Sequence, residues 1–283
     1  MHISIRALAD TDLNSADAIL QAAFQRPDSW FKELGIIRNL QPAGAFVAHN
    51  HETTVGVVFS LMYPDFAYVG PLGVHPDFQR LGIGFALMKH VLEWLEGQGA
   101  TRVALDASTM GLPIYEKLGF VAFEQVNIFQ RQSAGLLSQP PPEVQHLSLQ
   151  NLDLITATDK QAFGTDRSRL LGSLINEYPQ RAFCLKDEGR KTSGYLIAQE
   201  KSIGPWISQS KVDAELLLKA ALSLSFSNGP VTVIIPDENS NAKALIQRYG
   251  FERVRVLRHM IKDSKRPAGQ RETVYGQTSP SLG

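Results

Sequence analysis

Apolar residues recur along the chain with two spacings. Runs at Phe46–Ser60, Phe66–Val74 and Arg102–Ala107 predict strands. Ile83, Leu87, Val91, Trp94 and Leu95 instead share one face of a helix that Gly97 and Gly99 stop. A shorter helix follows, with Ser108 or Thr109 as its cap, Pro113 near its start and Leu118-Gly119-Phe120 at its end. Within the strand at 66–74, Gly70, Pro71 and Gly73 break the pattern. A proline there withdraws a ladder donor and marks a bulge or separated neighbours.

The same order returns later. Phe183–Gln199 reads as strand, polar turn, glycine and strand, like Phe46–Ser60. Val231–Asp237 is a strand, and a helix through Ala242, Leu245, Ile246 and Tyr249 is capped by Asn239 or Ser240 and closed by Gly250-Phe251. A single shift lays Asp106 on Asp237 and Gly119-Phe120 on Gly250-Phe251. A period as long as a domain predicts two similar folds in tandem, over residues 1–131 and 146–262. The proline-rich stretch 132–145 reads as a stiff linker, and the Gly-, Ser-, Gln- and Pro-rich residues 263–283 read as a poorly ordered tail.

The densest chemical signal lies between the 66–74 strand and the 83–97 helix, where the chain reads Gln79-Arg80-Leu81-Gly82-Ile83-Gly84-Phe85. Two glycines at alternate positions remove side-chain bulk where backbone N–H groups converge, and the following helix adds its unpaired first-turn donors. Such a turn can cradle an anion, although an ordinary strand-to-helix turn accounts for the same glycines. It is not a P-loop, which would continue into Gly-Lys-Ser/Thr. Nor is it a dinucleotide fingerprint, because Leu87 stands where the third glycine belongs.

The Gln-x-x-Gly-x-Gly pattern, the broken strand before it and the Tyr115-x-x-x-Gly119-Phe120 ending resemble the GCN5-related N-acetyltransferases (GNAT). The likeness is strongest over roughly residues 68–125, and the whole chain resembles a bacterial tandem type with a divergent second domain. It implies an α/β (α+β) fold of two tandem GNAT-like domains. Each would hold a mixed, mostly antiparallel sheet with a splayed central strand pair flanked by helices. It implies acetyl-CoA as cofactor, its pantetheine arm pairing with the bulged strand. Leu72, Gly73, Val74, Gln79, Arg80, Leu81, Gly82, Ile83, Gly84 and Phe85 would contact that cofactor, and Tyr115 would be the acid for the departing thiolate. A phenol suits that role, since it ionises above an ordinary thiol. Packing of Leu112, Tyr115 and Leu118 on one helical face is the competing account of that tyrosine. Gly111 departs from the family's usual asparagine, leaving one cofactor contact in doubt.

The activity implied is direct acetyl transfer to a primary amine of a small molecule. Two alternatives stand beside it, a non-catalytic acyl-CoA-binding or regulatory module and a protein acetyltransferase acting on lysine or an N-terminus. A base is not singled out. Glu33, Asp65 and Asp106 are candidates, and Trp30, Phe31, Tyr63, Phe66 and Tyr68 precede the motif as candidate acceptor-pocket residues. A backbone N–H beside Gly73 or Val74 could polarise the thioester oxygen. In the second copy Tyr115 is replaced by Ile246, and no glycine lies between Gly204 and Gly229, so one cofactor site is expected, in the first domain. Asp166 and Arg167 read as a solvated helix start in preference to cleft residues that would read a charged substrate.

Composition adds exclusions. Lys+Arg and Asp+Glu number 28 each, so the zero formal charge gives no electrostatic footprint for nucleic acid or an anionic membrane. The single Cys184 reads as a small buried hydrophobe. With no apolar span of bilayer length and no leader pattern at the first residues, the expectation is a cytoplasmic protein. Its partner would be a small amine, with a homodimer left open. His49-Asn50-His51-Glu52 reads as a hairpin turn, so no metal site is expected.

Overall fold

The computed structural model describes residues 2–132, 139–186, 192–264 and 268–283. Packing divides it into two units. Unit 1 comprises Met1–Val121, Met260–Lys265 and Leu282, and unit 2 comprises Ala122–His259, Arg266–Ser281 and Gly283.

Unit 1 runs β1 (Ile3–Ala7), α1 (Leu13–Phe24), α2 (Phe31–Leu40), β2 (Ala45–Asn50), β3 (Thr53–Met62), β4 (Ala67–Val74), α3 (Ile83–Gly97), β5 (Val103–Ala107) and α4 (Leu112–Lys117). The strands lie in sequence order and pair antiparallel from β1 to β4. The helix spacing is realised: Ile83, Leu87, Met88, Val91 and Leu95 are the buried face of α3. Removing each such side chain from water contributes about 1.5–3 kcal/mol. Two strand glycines let helices approach. A Cβ on Gly56 would lie 2.9 Å from Leu87 Cδ1, and one on Gly73 would lie 2.8 Å from Leu20 Cδ2 on α1. His49 and Asn50 end β2, and His51-Glu52 form the turn of the β2–β3 hairpin, with His51 at φ 53°.

Unit 2 runs β6 (Val121–Gln132), β7 (Gln145–His146), α5 (Asp153–Phe163), α6 (Ser168–Glu177), β8 (Ala182–Lys186), β9 (Thr192–Ala198), β10 (Ser202–Ser208), α7 (Lys211–Leu222), β11 (Pro230–Pro236), α8 (Ser240–Arg248), β12 (Glu252–Lys262) and β13 (Val274–Gly276). Its strand order is β12-β6-β11-β10-β9-β8-β7, with β13 on β10. Trp206, Phe183, Leu217, Val233 and Phe251 belong to its core.

Chain order therefore does not decide the division. Residues 122–131 were expected in the first domain, yet β6 pairs antiparallel with β11 from Val126↔Pro236 to Gln132↔Pro230. Met260, at the end of β12, instead joins the core of unit 1. Each unit is completed by a strand from the other half of the chain. Of the expected linker, residues 133–138 lie outside the described residues.

The tail is the clearest correction. Val274–Gly276 is a strand, and Gln277, Thr278, Ser279 and Ser281 are buried. Polar composition suggested disorder, but the main chain here is paired: Gln277 N–H donates to the Ile234 carbonyl at 2.8 Å and Thr278 N–H to the Gly283 carbonyl at 2.9 Å. Arg167 is a second correction. Its guanidinium is buried, donates to both oxygens of Asp159 and stacks 4.0 Å from the centroid of Phe163. Asp166 does serve the helix start as expected, accepting from Ser168 N at 2.8 Å. Cys184 is buried, as read from the sequence.

Candidate active site

The local geometry begins with a bulge. Val58 pairs with Leu72 and Ser60 with Val69, so Phe59 alone opposes Gly70 and Pro71. Beyond it β4 leaves its parallel neighbour: β4 and β5 pair only at Ala67↔Val103 and Tyr68↔Ala104. The β5-facing edge of β4 from Val69 to Val74 thus has no ladder partner among the described residues, which leaves backbone donors and acceptors free for an extended ligand.

That edge leads into the glycine turn. A 3-10 turn at Pro76–Phe78 redirects the chain after β4, and Gln79 reaches back to donate Nε2–H to the Val74 carbonyl at 3.0 Å. Arg80 at φ 61° and Gly82 at φ 83° are left-handed, and Gly82 is the N-cap of α3 without a side-chain capping bond. Left-handed residues ahead of a helix turn successive N–H groups into one concavity, at the positive end of the helix. Open space surrounds the Gly82 Cβ position, with no heavy atom within 4 Å. At Gly84 a Cβ would meet Ile114 Cδ1 at 3.4 Å and Leu72 and Val74 at 3.7 Å. The strand end, the start of α3 and α4 therefore converge on this glycine. Leu81 and Phe85 are exposed beside it.

Tyr115 follows Ile114 on α4. Its ring packs edge-on to Phe120 at 5.9 Å between centroids, and it covers Gly111, where a Cβ would lie 2.7 Å from Tyr115 Cε2. The missing asparagine thus has a steric counterpart: any side chain at 111 would displace this ring. Burial pushes the phenol up to about 12, although part of the residue remains accessible. The hydroxyl has no hydrogen-bond partner among the described residues. Sequence reasoning placed the α4 cap at Ser108 or Thr109; the N-cap is Gly111, whose N–H is held by the Ser108 carbonyl at 2.9 Å.

The remaining candidates are dispersed. Trp30 is the N-cap of α2, its ring 5.3 Å from Phe24 and under Arg26, and its backbone N–H donates to Asp17 Oδ1 at 2.6 Å. Glu33 lies in the first turn of α2, and Phe31 is exposed. Asp65 is exposed in the β3–β4 turn, whereas Asp106 is half-buried within β5. Tyr63, Phe66 and Tyr68 are buried, and Tyr63 Oη donates to the Leu282 carbonyl at 2.9 Å. Sequence reading missed that contact, and also the packing demand at Gly56 and Gly73.

Two family models match the chain, an acetyltransferase (GNAT) family model over residues 12–120 and an acetyltransferase (GNAT) domain model over residues 155–276. The chain belongs to the GNAT acetyltransferases. It is an acyltransferase by family, and GNAT enzymes use acetyl-CoA to acetylate amines. An uncharacterised Bacillus subtilis N-acetyltransferase, YitH, is 28% identical over 225 residues, covering 76% of each chain. The Trypanosoma brucei brucei glucosamine 6-phosphate N-acetyltransferase is 29% identical over 135 residues, 44% of this chain and 92% of that one. An Escherichia coli enzyme acting on an alanine of ribosomal protein bS18 is 28% identical over 120 residues, 41% of this chain and 80% of that one. Among solved structures, a Pyrococcus horikoshii chain assigned as an acetyltransferase superposes with a TM-score of 0.87 at 25% identity, covering 99% of this GNAT chain and 96% of the other. No described helix is long and apolar enough to cross a membrane.

Proposed function

We propose that unit 1 binds acetyl-CoA and transfers its acetyl group directly to a primary amine of a small molecule. The observation that carries this reading is the unpaired edge of β4 running into the left-handed turn at Arg80–Gly82. An extended amide-bearing arm fits the edge, and a pyrophosphate fits the N–H groups at the start of α3. Leu72, Gly73 and Val74 would hold the arm, and Arg80 to Phe85 would hold the phosphates. Gln79 acts on the turn itself, pinning it to the end of β4. Acetyl-CoA supplies the activated acetyl thioester.

Tyr115 is the acid in this scheme. Its hydroxyl has no other partner among the described residues, and it stays protonated across the neutral range, since burial raises it to about 12. The proton on Tyr115 Oη is therefore available to the thiolate that acyl transfer releases. A backbone N–H at Gly73 or Val74 would polarise the thioester oxygen, and Glu33, Asp65 or Asp106 would take the amine proton directly or through water. Burial of Tyr63, Phe66 and Tyr68 supports a small acceptor, because these aromatics do not form an exposed trough for a peptide. The likeness to the bS18-alanine enzyme favours the second reading, a protein N-terminus as acceptor.

Calorimetric titration with acetyl-CoA tests the cofactor half of the proposal. One site per chain is expected, lost when Gly82 and Gly84 are replaced by valine. A panel of small amines against N-terminal peptides, followed by thiol release, then separates the acceptors. Absence of binding would overturn the reading, and turnover of peptides alone would replace its acceptor.

A further inference from the structure

Unit 2 keeps the splay that unit 1 leaves open, and something lies in it. Ile203 pairs with Ala198 and Trp206 with Leu196, so Gly204 and Pro205 form a two-residue bulge opposite Ile197, as Gly70 and Pro71 do opposite Phe59. The parallel pair β10–β11 likewise holds for only two residues, Ser202↔Thr232 and Ile203↔Val233. Where unit 1 presents a bare strand edge, β13 pairs antiparallel with β10, at Trp206↔Gly276 and Ile207↔Val274. On its other side Gln277 N–H donates to the Ile234 carbonyl of β11 at 2.8 Å. Residues 274–277 thus bridge the two parted strands.

The fit is close and held at several points. A Cβ on Gly204 would sit 2.0 Å from the Gln277 carbonyl oxygen, and one on Gly276 would sit 2.8 Å from that of Ile203. Gln199 Nε2 donates to the carbonyls of both Gly204 and Thr278 at 2.8 Å, clamping bulge and insert together. Asn239 Nδ2 holds the Val274 carbonyl at 3.1 Å, while Tyr275 packs on Trp206 at 5.1 Å. Buried Arg167 donates to Thr278 Oγ1 and to the Gly283 carbonyl, each at 3.0 Å, with Asp159 neutralising it. Tyr195 donates to the same carboxylate.

We infer that the β10–β11 splay of unit 2 is a strand-pairing site whose resident ligand is the chain's own segment 274–278, so that this unit is closed to acyl-CoA. The inference rests on the reading that the equivalent splay in unit 1 receives the cofactor arm. A second feature agrees with it. Only Gln209 and Ser210 separate β10 from α7, against Pro76–Gly82 and its neighbour His75 between β4 and α3, so unit 2 has no turn long enough to surround a pyrophosphate. The segment gives β10 the main-chain partners that an edge in a protein interior requires. Unit 2 is therefore complete without cofactor, whereas unit 1 gains order when cofactor binds.

Hydrogen exchange on the whole chain, with and without saturating acetyl-CoA, tests this. Amides of 274–277 should exchange slowly in the free protein and unchanged in the complex, while 80–84 slow by at least about tenfold. Fast exchange at 274–277 in the free protein, or its acceleration by acetyl-CoA, would overturn the inference. An unchanged 80–84 beside a protected 274–277 would instead sink the cofactor assignment in unit 1 and leave the internal ligand standing. Gly276→Val should expel the segment and raise its exchange by more than tenfold. If that variant does not fold, Gln199→Ala, which loses two of the clamping bonds, should raise it by a smaller factor. Unchanged protection in a folded Gly276→Val protein would overturn the close fit.

Discussion

The two units end their last helices in the same way and begin their third helices differently. Phe120 N–H returns to the Tyr115 carbonyl at 3.0 Å after left-handed Gly119, and Phe251 N–H returns to the Ile246 carbonyl at 3.1 Å after left-handed Gly250. Tyr115 and Ile246 thus occupy one structural position, and only the first carries an exchangeable proton. Before the preceding helices, one unit has an exposed turn with two left-handed residues, and the other has a two-residue connection in which Ser210 accepts from Asp213 N. The shared part is what the backbone needs to fold, while the differing part is what a phosphate and a thiolate would need. The two units thus share the helix-ending architecture and differ at the tyrosine position and the turn.

The largest effect that would sharpen this contrast lies in the unit 1 turn. Gly82→Val with Gly84→Val should weaken acetyl-CoA binding more than about 100-fold, roughly 2.7 kcal/mol, by forcing a branched residue to a positive φ and crowding the cradle. Glycine introduced at Gln209 and Ser210 should leave the calorimetric stoichiometry unchanged. A gain of a second site there would break the comparison.

Next comes the buried pair of unit 2. Arg167→Ala strands Asp159 without its partner, which costs about 3–5 kcal/mol and should appear as a lowered denaturant midpoint. Acetyl-CoA affinity should stay within twofold at temperatures where the variant is folded. A large loss of affinity would show that the units are not chemically separate.

Tyr115→Phe should lower kcat about 100-fold with cofactor Kd nearly unchanged, whereas Ile246→Ala should change stability alone. Burial holds the phenol at about 12, so kcat should not fall with Tyr115 ionisation as pH rises to about 10. The linked stability has a definite sign. The unfolded tyrosine ionises near 10 and the folded one only near 12, so its contribution is present below pH 10 and is lost as pH rises through that window. A kcat that declines between pH 8 and 9 with a Tyr115-dependent midpoint would contradict this assignment.

Gly111→Asn tests the ring over Gly111. With its Cβ position 2.7 Å from the ring, it should move Tyr115 and lower kcat, leaving Kd little affected. Unchanged kcat would show that ring position is not limiting. The smallest effect is expected at the α7 cap, where Ser210→Ala removes the bond from Asp213 N and should cost about 1 kcal/mol in a thermal melt.

Much of unit 1 was legible because its signals are local. The α3 face, the Gly-Pro bulge, the glycine stop after α4 and the β2–β3 turn each follow from the spacing of a few neighbouring residues. The repeat was legible for the same reason, as was the match of Ile246 to the position of Tyr115. Arg167 misled because a charge near a helix start is usually solvated, and only the buried Asp159 supplied by α5 reverses that preference. Gly111 was visible as a departure from pattern, but its meaning needed the ring that lies over it.

The sequence alone determined the family, the two-fold repetition and the glycine turn between β4 and α3, because these depend on backbone freedom and side-chain periodicity within short windows. Tertiary structure decided which strands complete which unit and what fills the second splay. A polar segment such as 274–283 carries no hydrophobic pattern of its own. Its order comes from main-chain hydrogen bonds to β10 and β11 and from the clamps at Gln199, Asn239 and Arg167, all distant in sequence. Such bonds depend on where two strands part, and that separation exists only once the sheet has formed.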